Sequence, residues 1–281
     1  MKPFLTFTLF VAAFGLAAIS SLWATKPNIV LILADDMGLG DVSCYGTGGL
    51  VKTPHLDKLA SEGRRFLDAH TPSGVCTPTR YGLLTGRYAW RTRLKSRVLQ
   101  GYSPPLIAPD RETVASLLRA EGYVTGIIGK WHLGMNWVDV KKGKSEELPI
   151  GARMKDGPNA LGFDYFYGFT HARNIGGIIE QDKVVANVKG IENQPMMIKK
   201  ALEYLDQRAK EDKPFFLYFP MCPPHSPIVP AEKFVGKSGM SGKEGKYGDW
   251  VYQGDDMLGQ IMEALKRNGQ DNNTLLIATG D

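Results

Sequence analysis

The chain has 281 residues, 43% of them hydrophobic and 22% charged, a balance that suits a folded core and excludes a disordered or fibrous protein. Its formal net charge is +5 with no dense Lys/Arg block, so nucleic acid is not an indicated partner and the charge reads as a mild attraction for anions. One large α/β domain or two small ones fit the length, at roughly 100–200 residues per domain.

Residues 1–24 read as a secretory leader: Lys2 near the start, an apolar stretch from Phe4 to Ala18, and the small residue Ala24 where cleavage needs one. The apolar core is short for a bilayer span, and no later segment is long enough to cross one. The expectation is an exported protein, periplasmic or secreted, with no stable membrane partner. It contains three cysteines, Cys44, Cys76 and Cys222. An odd count leaves at least one thiol unpaired; a Cys44–Cys222 disulfide and two buried free thiols both stay open.

The first predicted strand is Asn28–Ala34 (NIVLILA), which runs into Asp35 and Asp36. A Gly-rich turn, MGLGD, follows it. Helices are predicted over His55–Glu62, closed by Gly63, and over Pro78–Thr85, where proline suits a first turn and Gly86 a stop. Arg111–Ala120 has helical spacing, and Gly122 ends it before the strand Tyr123–Gly129, which runs into Lys130 and His132. Two longer amphipathic helices, Gln194–Lys210 and Trp250–Lys266, precede the strands Pro214–Pro220 and Thr274–Gly280; the first of these strands leads to His225, the second to Asp281. Asn136–Pro158, Gly168–Gly190 and Lys233–Gly248 break the rhythm and read as surface loops of the kind that shape a pocket.

Continuous apolar runs suit strands covered on both faces, and the alternation predicts a doubly wound, parallel α/β sheet. Ligands bind outside the carboxyl ends of such strands, where Asp35, Asp36, Lys130, His132, His225 and Asp281 would gather. Trp131 reads as packing, and His55 and His70 receive no role. Asp281 follows directly on a strand with no closing helix, so the chain reads as truncated, its sheet ending on an exposed edge.

Cys76-Thr77-Pro78-Thr79-Arg80 places a cysteine just before a helix N-terminus. Backbone amides and the helix dipole there favour anions and are expected to lower a thiol pKa. Arg80 lies one turn further on, able to bridge to an anion. The alternative is a small apolar residue packed under the helix.

C-T-P-T-R followed by L-T-G-R resembles the signature of the type I sulfatases. NIVLILADDMGLGD, GYVTGIIGKWHLG, GFDYFYG and PPHSP are similar to further blocks of that family, in the same order. The resemblance spans residues 25–281 as one catalytic domain. It implies an alkaline-phosphatase-like α/β fold with a mixed, largely parallel sheet and helices on both faces. It also implies hydrolysis of sulfate monoesters, on sulfated carbohydrates or aryl sulfates, with Cys76 oxidised to Cα-formylglycine by a maturation enzyme. The hydrated aldehyde of that residue would supply the nucleophile. Asp35, Asp36, residue 76 and Asp281 would hold Ca²⁺, with Mg²⁺ the alternative, as hard oxygen donors suit. In the family an Asn follows the last Asp; here the sequence stops before it. Arg80 would hold the hydrate, Lys130 would neutralise the sulfuryl oxygens, His132 would act as base and His225 as acid. Lys130, His225 and His171 would touch substrate, with Arg173 in the same loop. A phosphate or phosphonate monoester hydrolase of the same superfamily, and an inactive anion-binding fragment, are the other readings.

Overall fold

The computed structural model describes residues 26–46, 51–138, 140 and 148–281; the predicted leader and part of the 136–158 segment lie outside them. The strands are β1 (Asn28–Asp35), β2 (Val124–Lys130), β3 (Asn136–Trp137), β4 (Met154–Asp156), β5 (Tyr165–Phe169), β6 (Gly177–Glu180), β7 (Lys183–Asn187), β8 (Phe215–Pro224) and β9 (Thr274–Gly280). The α-helices are α1 (Pro54–Glu62), α2 (Cys76–Thr85), α3 (Val114–Ala120), α4 (Gly190–Arg208) and α5 (Gly242–Arg267). Among the described residues no helix is long and apolar enough to cross a membrane.

Seven strands form one sheet in the order β7-β6-β5-β2-β8-β1-β9. The run from β5 to β9 is parallel; β6 is antiparallel to β5, and β7 pairs antiparallel with β6. The four predicted strands are contiguous at its centre and one edge. Alternation along them explains their continuous apolar character: Val30, Ile32 and Ala34 of β1 face one core, while Leu31 and Leu33 face the other. Strand β8 does the same, with Phe215, Leu217 and Phe219 on one side and Phe216 and Tyr218 on the other. Helices α4 and α5 cover the first core through Met197, Ala201, Leu205, Trp250 and Ile261. Tyr81 and Leu84 of α2 and Ala115 of α3 cover the second. Burial of each such large side chain is worth roughly 1.5–3 kcal/mol, and both faces of the sheet contribute.

Several boundaries differ from expectation for local physical reasons. Helix α2 starts at Cys76, two residues before the predicted Pro78, because the first-turn amides of a helix have no partner inside it. A proline at the third position therefore forfeits nothing, and the first turn closes at Thr79 N–H to Val75 O, 3.2 Å. Helix α3 starts late, at Val114, because Thr113 and Ser116 form a reciprocal cap: the Thr113 hydroxyl oxygen accepts from Ser116 N–H and the Ser116 hydroxyl oxygen from Thr113 N–H. Helix α5 starts at Gly242, well inside the predicted 233–248 loop. Its glycines depress helix propensity, yet the helix needs them: a Cβ on Gly259 would meet the His55 ring at 2.5 Å.

The segment 168–190 is not a surface loop either. It holds β6 and β7, and Ile178, Ile179 and Val184 are fully buried. Strand β9 forms the edge, as expected, with Leu275 and Ile277 exposed. All three cysteines are free, so Cys44 and Cys222 are unpaired.

Gly129 carries the polypeptide into Lys130 at φ +134°, and a Cβ there would sit 2.2 Å from the Pro220 carbonyl oxygen on β8. Gly129→Ala is expected to destabilise the fold by about 1–3 kcal/mol from backbone strain alone, with the clash adding to it. Denaturant unfolding measures this; an unchanged midpoint contradicts the close β2–β8 approach.

Candidate active site

Each predicted strand delivers its polar residue to the same edge of the sheet. Asp35 is the last residue of β1, Lys130 the last of β2, His225 follows β8 and Asp281 follows β9. Cys76 opens α2. Asp36 and His132 turn the chain out of their strands at φ +64° and +54°, a region that side-chain-bearing residues rarely adopt and that recurs at functional sites.

The centre is a charge cluster without solvent contact. Arg80, Asp35 and Lys130 are each 0% exposed. The Arg80 guanidinium donates to Asp35 Oδ1 at 3.0 Å and to the Lys130 carbonyl at 2.7 Å. The Lys130 ammonium donates to Asp35 Oδ2 and to Cys76 Sγ, the latter at 3.2 Å. Burial alone would raise the Asp35 carboxyl, but the two cations overrule it and hold it at about 2. On the other side, Asp36 N–H donates to Asp281 Oδ1 at 2.7 Å. Asp281 Oδ2 is buried with no hydrogen-bond partner, and burial and the Asp35 charge raise the Asp281 carboxyl.

Donor atoms of Asp35, Asp36, Cys76 and Asp281 all lie within 4.8 Å of one another, and Asp35, Cys76 and His225 form an overlapping set. Carboxylate oxygens converging at that spacing repel unless a cation sits among them, and the orphaned Asp281 oxygen leaves one donor position unspent. The carboxylates fit a hard divalent ion. The Cys76 sulfur does not, being a soft ligand; an oxygen in its place would complete a hard set.

Cys76 differs from its expectation. Burial, then the nearby Asp35 charge, pushes the thiol up to about 11 against the pull of Lys130 and Arg80. The helix end does not produce a thiolate. Arg80 donates from its two terminal nitrogens to Asp35 and the Lys130 carbonyl, and its Nε is buried without a hydrogen-bond partner.

The histidines divide by depth. His132 is buried, and its Nε2 meets the Leu99 carbonyl at 3.0 Å. Because a carbonyl only accepts, that nitrogen carries the proton, and the partnerless, buried Nδ1 keeps the lone pair. Burial and Lys130 lower the His132 pKa well below its usual range. His225 is partly exposed, with Nε2 3.5 Å from Asp36 Oδ2 and Nδ1 on the Ser226 carbonyl.

His171, expected to touch substrate from a surface loop, is instead 4% exposed, edge-on to His132 with ring centroids 5.5 Å apart. Arg173 stays exposed, 3.4 Å from Gln100. Trp131 is packing, its ring edge-on to Phe163. Thr77, to which the sequence motif assigns no role of its own, is fully buried and donates its hydroxyl to the His132 carbonyl.

The sulfatase family model matches residues 27–281. The chain belongs to the sulfatase family. It is 32% identical to an N-acetylgalactosamine-6-O-sulfatase of Bacteroides thetaiotaomicron, over 91% of this chain and 58% of that protein. It is 35% identical to arylsulfatase A of Bos taurus, over 100% of this chain and 55% of that protein. This sulfatase thus spans little more than half the length of those relatives. A solved structure from work on glycosaminoglycan metabolism by Bacteroides thetaiotaomicron superposes with a TM-score of 0.79 at 29% identity, covering 91% of this chain and 62% of that one. The alkaline-phosphatase-like fold and the mixed, largely parallel sheet stand as expected.

The sulfatase core makes Asp35 a stability determinant. Its folded value of about 2 lies below the ordinary 3.8, so on acidification the unfolded chain takes up the proton first. The contribution is complete above about pH 4 and lost as pH falls toward 2. Asp35→Asn leaves two buried cations without a counter-charge and is expected to cost about 3–5 kcal/mol at pH 7, and to remove that acid limb. Denaturant unfolding across pH, with chelator present, measures both; a loss under about 1 kcal/mol contradicts the charge cluster's role.

Proposed function

We propose that the chain carries the catalytic centre of a sulfuric ester hydrolase acting on sulfate monoesters. The observation that carries this reading is the convergence of residue 76 with Lys130 and three carboxylates at one strand edge. A divalent ion, Ca²⁺ or Mg²⁺, held by Asp35, Asp36, Asp281 and residue 76, would supply Lewis-acid polarisation of the sulfate oxygens. Cα-formylglycine at position 76 would supply, in its hydrated form, the attacking hydroxyl and a hard oxygen donor that the thiol cannot.

The remaining roles fall to this chain's own side chains. Lys130 places its ammonium beside residue 76 and offsets negative charge on the sulfuryl oxygens. His132 is neutral with its Nδ1 lone pair unspent, and would accept a proton from the side chain at position 76 once that carries a hydroxyl. His225 has Nδ1 committed to a carbonyl; the proton it gives from Nε2 to the leaving alcohol oxygen is that of the imidazolium, which Asp36 faces. Arg80 acts indirectly, orienting Asp35 and the end of β2. His171 supports the ring of His132, and Arg173 is the exposed group of that loop available to a substrate.

Sulfated carbohydrates are the proposed substrate class, with aryl sulfates as surrogates; the N-acetylgalactosamine-6-O-sulfatase relative and the net charge support it. Export guided by residues 1–24, and a formylglycine-generating maturation enzyme as transient partner, belong to the same proposal.

Protein produced with such an enzyme is expected to turn over an aryl sulfate faster than the matching aryl phosphate. Chelation should abolish turnover and Ca²⁺ or Mg²⁺ restore it. Lys130→Ala should lower kcat by about 10²–10³-fold, and Cys76→Ala should leave only background. A preference for the phosphate ester, or full activity in Cys76→Ala, overturns the reading.

A further inference from the structure

We infer that Thr77 is a positioning residue: its hydroxyl fixes the ring of His132 and thereby the geometry between residue 76 and its base. The inference rests on the assignment of His132 as base.

Three hydrogen bonds close a ring across three chain segments. The Thr77 hydroxyl donates to the His132 carbonyl at 3.0 Å. The same oxygen accepts from Leu99 N–H at 3.2 Å. The Leu99 carbonyl accepts from His132 Nε2 at 3.0 Å. Thr77 thus holds both the backbone that carries the imidazole and the residue that selects its tautomer. Because Thr77 is peptide-bonded to residue 76, the same hydroxyl also ties the N-terminus of α2 to the turn after β2.

Thr77 does not serve its own helix: no side chain caps α2, and the Thr77 hydroxyl is spent outside that helix. It is 0% exposed, so solvent cannot replace it. What it restrains is a residue at φ +54°, a conformation that persists only when its surroundings enforce it. The other backbone restraint, His132 N–H to Thr170 O at 2.8 Å, does not touch the imidazole. Without the hydroxyl, Leu99 N–H loses its acceptor and its carbonyl is free to leave Nε2. The proton can then settle on Nδ1, where the lone pair is needed.

Thr77→Val keeps the shape and removes the hydroxyl; Thr77→Ser keeps the hydroxyl. Proton–nitrogen NMR of the imidazoles, in a chain with five histidines, reads the tautomer directly and without turnover. The wild type and Thr77→Ser should hold His132 as the Nε2–H form, whereas Thr77→Val should show a mixture, with the signals of His55, His70 and His225 unmoved. With matured protein and an aryl sulfate, Thr77→Val should lower kcat by about 10²-fold at little-changed KM, and Thr77→Ser should recover most of it. Thr77→Ala replaces the valine variant if that one does not fold.

A fixed Nε2–H tautomer in the hydroxyl-free variant overturns the inference, as does a serine variant as impaired as valine. If matured wild type shows no turnover, the reading of the reaction fails, and the spectra alone decide the positioning role.

Discussion

The Asp35 carboxylate between the Arg80 guanidinium and the Lys130 ammonium is the interaction on which the rest of the site depends. All three groups are out of contact with water, and removing charges from water costs several kcal/mol per ion before any attraction returns it. Such a cluster is a poor way to gain stability: apolar residues of equal volume would do as well. Its value lies in position. Arg80 comes from α2, Asp35 from β1 and Lys130 from β2, so the ionic contacts lock the helix that carries residue 76 onto the strand ends that carry everything else.

That lock also sets the chemistry at residue 76. Burial and then the negative charge of Asp35 hold the Cys76 thiol protonated near neutrality, so an unmodified cysteine here is a weak nucleophile and a mismatched ligand for a hard cation. The same surroundings suit an oxygen-bearing side chain: an ammonium at hydrogen-bond distance and three carboxylates to share a divalent ion. The contradiction between a buried, inert thiol and a site built for anion chemistry disappears once position 76 carries oxygen.

Much of this was legible in the sequence, for a physical reason. Strands buried on both faces are largely apolar, so β1, β2 and β8 appear as near-continuous runs; β9 reads the same way although it is the edge strand with Leu275 and Ile277 exposed, and the polar residue that ends each run marks the edge where the sheet meets its ligand. Other features had no such mark. Strands β6 and β7 are short and mixed, and read as loop. The glycines that let α5 pack against its neighbours disguise its first turns. The pKa of Cys76 depends on a carboxylate distant in sequence, which local reasoning from a helix end omits. The Leu99 carbonyl that sets the tautomer of His132 is a backbone group, and no residue type announces it. Thr77 sat inside the motif in plain view, but only the fold shows where its hydroxyl goes.

The chemistry of this site turns on the identity of the side chain at position 76 in working enzyme. Mass spectrometry of the peptide containing Cys76, from protein produced with the maturation enzyme and shown to release sulfate, tests it most directly. The expected residue has its CH₂–SH converted to an aldehyde, lighter by H₂S and heavier by one oxygen, in proportion to activity. An unmodified thiol in fully active protein contradicts the account.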